Sequence, residues 1–114
     1  MSPIEDAQIE VCRRLGTVYD LPNPEDRVGI ALQTAGQWPL NALRHPKESG
    51  TCGWYLWWGD TWNDGLDFFK PLHVEHLREH CPEIMAYLAL PAGWRVQLAP
   101  GHEDVWYDPE LFNI

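Results

Sequence analysis

Along the first fifteen residues, Ile4, Gln8, Val11, Cys12 and Leu15 recur at helical spacing among charged positions. Ser2 can cap such a helix, Pro3 suits its first position, and Glu5 can reach back as the acid of a capping box. The spacing predicts a helix over about 3 to 15, ended at Gly16. The stretch from Asp20 to Asp26 holds two prolines and three acids and predicts a loop. Val28 to Thr34 is short, apolar and partly β-branched, with Gly36 and Pro39 closing it, which predicts a strand. Pro39 to Pro46 predicts no more than an irregular or short extended link.

The clearest strand signal is Gly53-Trp-Tyr-Leu-Trp-Trp-Gly59, where aromatic side chains suit a pleated surface and glycines bound the run. Alternation places Trp54, Leu56 and Trp58 on one face and Tyr55 and Trp57 on the other. Asp60 to Asp67 predicts a polar, Asp-rich loop, after which Phe68, Phe69 and Leu72 return to the core. Beyond Leu72, positions Val74, Leu77, Cys81, Ile84, Met85 and Leu88 keep helical spacing, but Pro82 cannot donate to the preceding turn. Two short helices follow, about 73 to 80 and 82 to 89. Pro91-Ala-Gly-Trp94 turns the chain into a strand near 94 to 98, and Glu103 to Tyr107 predicts a last strand paired with it. The fold class expected is α+β, a small, mostly antiparallel sheet packed against two to three helices, in a single domain over residues 1 to 114.

Composition narrows the partners. At 114 residues and 45% hydrophobic, the chain can close one core without metals or disulfides. Eight Lys and Arg against 17 Asp and Glu give a net charge of -9, which repels phosphate backbones and anionic membranes and attracts a basic protein. Cys12, Cys52 and Cys81 are odd in number and lack metal-ligand spacing, so reduced, mostly buried thiols are expected. The N-terminus is polar and acidic, and no apolar run approaches a membrane span, so a cytoplasmic location is expected.

The sharpest chemical pattern is His73, His76 and His80, whose spacing puts three imidazoles on one face of the predicted helix, where they could share a metal. Histidines at the boundary of an amphipathic helix are the commoner occurrence, and no cofactor is expected. Asp60, Asp64 and Asp67 lack the full pattern of a calcium loop and suit a solvated acidic loop better. With Glu103, Asp104 and Asp108 they would form an acidic patch if the fold brings the two regions together. Cys81 follows His80, but neighbours on a helix point apart, so a nucleophilic pair is disfavoured. Arg44 and His45, before Pro46, could contact a ligand or serve ordinary turn chemistry. Seven tryptophans are unusual in a chain this short; most are expected to fill the core, leaving one or two to grip a sugar or a protein. No motif favours an enzyme over a binding protein.

Several runs taken together carry a resemblance. They are Gly53-Trp-Tyr-Leu-Trp-Trp-Gly-Asp60, Asp67-Phe-Phe-Lys-Pro-Leu-His-Val-Glu-His-Leu77, Cys81-Pro-Glu-Ile-Met-Ala-Tyr-Leu88, Leu90-Pro-Ala-Gly-Trp94 and Glu103-Asp-Val-Trp-Tyr-Asp108. Over about residues 38 to 108 the chain resembles immunity protein family 33, a bacterial group found beside toxins of polymorphic and contact-dependent systems. The resemblance implies an α+β protein that binds and blocks a cognate toxin, with no catalysis of its own. Immunity families bind varied toxins, so it assigns no contact residue. From the residues themselves, Asp60, Trp62, Asp64, Asp67, Glu103 and Asp104 are the candidate contacts for a basic toxin. Other functions fit the same features: a small-ligand or carbohydrate-binding module using exposed tryptophans, a metal-dependent hydrolase built on the histidines, and a structural or regulatory adaptor.

Overall fold

Helix α1 spans Pro3–Leu15 in the computed structural model, which describes residues 3–48, 51–59 and 68–112. Ser2 lies outside the described residues. The helix turns Gln8, Val11 and Cys12 inward, with Glu5 and Asp6 in its first turn and Arg13 and Arg14 in its last, matching the helix dipole at both ends. Gly16, at φ +69°, ends it: its N–H bonds the Arg13 carbonyl at 3.2 Å, and the Thr17 N–H bonds the Cys12 carbonyl at 3.0 Å. These are the two bonds of a Schellman cap.

The strands are β1 (Arg27–Ile30), β2 (Leu40–Arg44), β3 (Thr51–Trp58), β4 (Lys70–His73), β5 (Trp94–Ala99) and β6 (His102–Tyr107). They form one sheet in the order β4-β1-β3-β2-β5-β6. β1 and β3 run parallel, and the remaining pairs are antiparallel. A four-residue α2 (Leu77–His80) and a 3-10 segment (Pro82–Tyr87) complete the helical layer with α1. The fold is α+β with a mostly antiparallel sheet, as the sequence predicts.

The strand β3 alternates as expected. Trp54, Leu56 and Trp58 enter the main core with Val28, Ile30, Leu40, Val96, Leu77, Ile84 and Leu88, beneath the helices. Trp57 joins Ala31, Leu43 and Leu111 in a smaller cluster on the opposite face, where Tyr55, Phe68 and Phe69 pack at its margin. Edge-to-face contacts link Tyr55 to Phe69 at 5.3 Å and Phe68 to Phe69 at 4.8 Å. Leu72 packs on the main core.

Four expectations are corrected. Residues 39 to 46 are extended, as one of the two readings has it, but they are no mere link: they hold β2, an interior strand paired with β3 and β5. The strand predicted over 28 to 34 stops at Ile30 and gives way to a 3-10 turn at Leu32–Thr34. No helix runs from 73 to 80, because His73 ends β4, and a 3-10 turn at Val74–His76 precedes α2. Pro71 lies inside β4, a placement allowed by its position at the sheet edge. The second predicted helix is the 3-10 segment Pro82–Tyr87, with Pro82 opening it. The loop predicted over 60 to 67 lies outside the described residues.

Candidate partner-binding surface

The hairpin of β5 and β6 turns at Pro100 and Gly101, the latter at φ +72°, and pairs Ala99 with His102 through to Trp94 with Tyr107. Among the described residues no strand pairs with the outer edge of β6. Register divides β6 between two faces. Glu103, opposite Leu98, and Val105, opposite Val96, lie on the side of the main core. Asp104, opposite Gln97, and Trp106, opposite Arg95, lie on the other.

Glu103 is held in place. It accepts a short hydrogen bond from the Tyr87 hydroxyl and lies 3.6 Å from the Arg14 guanidinium. Burial first, then this carboxylate, pushes the Tyr87 phenol up to about 12. Asp104 is exposed on the opposite face, where Gln97 bonds Asn41 at 3.2 Å and His102 lies 3.3 Å from Gln97.

At the far end of β6 Tyr107 and Phe112 gather beside Trp94, and Trp106 shows on the opposite face. Trp106, Tyr107 and Phe112 are 38%, 50% and 47% exposed, against buried Trp54 and Leu56 in the core. Tyr107 meets Trp94 edge-on at 5.6 Å and Phe112 at 6.3 Å. Both Tyr107 and Phe112 close over Gly93, where a Cβ atom would come within 2.5 Å and 2.8 Å of their rings. Asp108 accepts from Arg95 Nε at 2.7 Å, which ties the strand end to β5. Glu110, in the 3-10 turn Pro109–Phe112, is exposed, and its N–H donates to Asp108 Oδ1 at 3.0 Å. The outer strand therefore shows an exposed aromatic on each face, Trp106 with Asp104 on one and Tyr107 with Phe112 on the other.

Of the candidate contacts, Glu103 and Asp104 both sit on this strand but point to opposite faces, so one flat partner surface would not use both equally. Asp60, Trp62, Asp64 and Asp67 lie outside the described residues. Sequence reasoning missed Trp106, Tyr107 and Phe112. The signal was in the run His102-Glu-Asp-Val-Trp-Tyr107, whose failure to alternate cleanly marks a strand exposed on its edge. Among the described tryptophans, Trp38 and Trp106 are exposed, in line with the expectation that one or two would be available.

Arg44 is not available to a ligand. It is buried and donates through Nε to the Cys52 carbonyl at 3.0 Å and through NH1 to the carbonyls of Asp20 at 2.7 Å, Leu90 at 2.8 Å and Leu88 at 3.4 Å. Its guanidinium also lies 5.8 Å from the Trp54 ring centre. His45 Nδ1 lies 3.0 Å from the Leu111 carbonyl. The three cysteines are free and buried, and burial pushes the Cys81 thiol up to about 12, which keeps it protonated at neutral pH. His73, His76 and His80 do not share a helical face. His73 and His76 approach each other with Glu75 between them, and His80 lies at the end of α2.

Among the described residues no helix is long and apolar enough to cross a membrane. No curated protein and no solved structure matches the chain. The model of the Imm33-like domain matches residues 7–108, which reaches well beyond the resemblance over 38 to 108 and takes in most of α1, all of β1 and the whole sheet. By that match the chain belongs to the Imm33-like domain family, a family of immunity type.

Proposed function

We propose that the chain is an immunity protein that binds a cognate toxin in the cytoplasm of the producing cell and blocks it by occlusion, with no catalysis of its own. The observation that carries the reading is the outer strand β6, which exposes Trp106 with Asp104 on one face and Tyr107 with Phe112 on the other. Aromatic anchors of this kind dominate interface energetics, whereas carboxylates around them set approach rate and partner choice. With a net charge of -9, a basic toxin face is the complementary partner. A standard interface covers about 800 Å² on each side, more than one strand edge supplies. The acidic segment with Asp60, Trp62, Asp64 and Asp67 is the proposed remainder of the contact, alongside Glu103 and Asp104.

The test is co-expression with a basic toxin captured by this protein as bait, together with a binding assay on the purified pair. Trp106→Ala with Tyr107→Ala is expected to weaken binding at least about 30-fold, the loss of roughly 2 kcal/mol or more typical of interface anchors. Asp104→Lys is expected to slow association. Protection and affinity unchanged in both variants, with the fold intact by circular dichroism, would remove β6 from the interface.

A further inference from the structure

At the opposite edge of the sheet, the chain leaves β4 and enters the helical layer through the sequence His73-Val-Glu-His76. Its backbone is pinned there: the Val74 N–H bonds the Asp26 carbonyl at 2.9 Å, and the Glu75 N–H bonds the Pro24 carbonyl at 3.1 Å. From this fixed turn His73, Glu75 and His76 each project one ligand-type atom, and the three atoms lie within 4.8 Å of one another. All three side chains are exposed.

The orientation of His76 is specified from behind. Its Nδ1 lies 3.2 Å from Glu79 Oε2, and because a carboxylate only accepts, the proton of the neutral ring sits on Nδ1. That leaves the lone pair of Nε2 facing Glu75 Oε1 at 3.6 Å. A cation placed between these two atoms would be held by both. A proton on Nε2 would suffice for the pair, but it needs no third donor, whereas His73 supplies one. In a tetrahedral zinc site with bonds of about 2.1 Å, neighbouring donors stand about 3.4 Å apart, close to the observed spacing of Glu75 and His76.

We propose that His73, Glu75 and His76 form a surface site for a divalent transition ion of the zinc class, with Glu79 orienting His76 through Nδ1. Two imidazoles and a carboxylate select zinc, cobalt, nickel or copper over calcium and magnesium, which prefer all-oxygen sites. Three protein ligands leave at least one position for water or for a donor from a bound protein. The carboxylate hydrogen-bonded to a ligating histidine is the arrangement that fixes tautomer and raises ligand basicity at metal centres. His80 plays no part in this site, although the sequence spacing groups it with the other two histidines.

The experiment is calorimetric titration of tag-free protein with Zn²⁺ near neutral pH, with Co²⁺ absorption as a second readout of the coordination sphere. One saturable site per chain and intense cobalt d–d bands are expected. His73→Asn with His76→Asn is expected to abolish both. Glu79→Gln, which keeps the hydrogen-bond reach but not the charge, is expected to weaken binding roughly 10- to 100-fold. His80→Asn is expected to leave binding unchanged. Because all these side chains are exposed, each variant is checked to fold by circular dichroism before titration. No saturable uptake by the parent protein, uptake that survives in the double variant, or uptake lost on replacing His80 but not His73 would each overturn the site.

Discussion

Arg44 shows how one residue can settle the position of four segments. Its donors reach carbonyls of β3, of the loop after α1, and of the chain between the 3-10 segment and β5. Among the described residues no carboxylate pairs directly with it, and the cost of burying the charge is offset by oriented carbonyl dipoles and the face of Trp54. Burial lowers its pKa from the ordinary arginine value, and Asp20 acts in the opposite direction. Arg44→Met would leave those carbonyls buried without donors, at about 1 to 3 kcal/mol for each that water cannot reach. The expected loss is therefore about 3 kcal/mol or more, read from urea unfolding. Arg44→Lys should recover only part of it, since one ammonium cannot reproduce the planar fork.

At the level of elements, β6 is fastened to the helical layer through the Tyr87 hydroxyl and Glu103. The phenol is held neutral in the fold, up to about 12, while an unfolded tyrosine ionises near 10. Above about pH 10 the unfolded chain has given up this proton and the folded chain has not. Stability is thus fully present below that point and falls as pH rises toward about 12. Cys81, held up to about 12 against an ordinary value near 9, adds a loss of the same sign that begins about one unit earlier. Urea midpoints measured from pH 8 to 11 should fall accordingly. Tyr87→Phe should flatten the part of the slope above pH 10, and a slope identical to the parent's would show that the phenol is not the titrating group.

Elements also differ in how plainly the sequence announces them. α1 and β3 were legible because their side chains divide between faces at the expected period, down to which tryptophans share a face. β2 was hidden by Arg44, a charge where an interior strand shows apolar residues, and by prolines that flank the strand. β4 was hidden by Pro71, since edge pairing with β1 depends on a distant partner. The acidic character of the candidate surface was readable from composition alone. That Glu103 and Asp104 part company was not, because it follows from their register against Leu98 and Gln97.

Taken whole, the molecule carries its charge of -9 with few internal cations to neutralise it. Arg13 pairs with Glu10, Arg95 with Asp108, and Arg14 approaches Glu103. The surplus of carboxylates creates a field that attracts a basic partner over a distance set by the ionic strength. The association rate with the proposed toxin is expected to fall at least about tenfold between roughly 0.02 and 0.5 M salt, with the dissociation rate changing much less. Stopped-flow mixing at several salt concentrations measures both, and a salt-independent association rate would exclude steering by this charge.

The order of strands has a bearing on birth as well as on function. β1 lies between β3 and β4, so it leaves the ribosome well before either neighbour exists. The inward stripe of α1 waits longer still, since Gln8 bonds the Met85 carbonyl and Cys12 packs in a core that includes Ile84 and Leu88. During synthesis the N-terminal third is therefore an unfinished half of an interface with its own later sequence. A chain arrested near residue 80 offers chaperones an uncovered apolar helix, because the segment with Ile84, Met85 and Leu88 that closes over Gln8 and Cys12 has yet to be made.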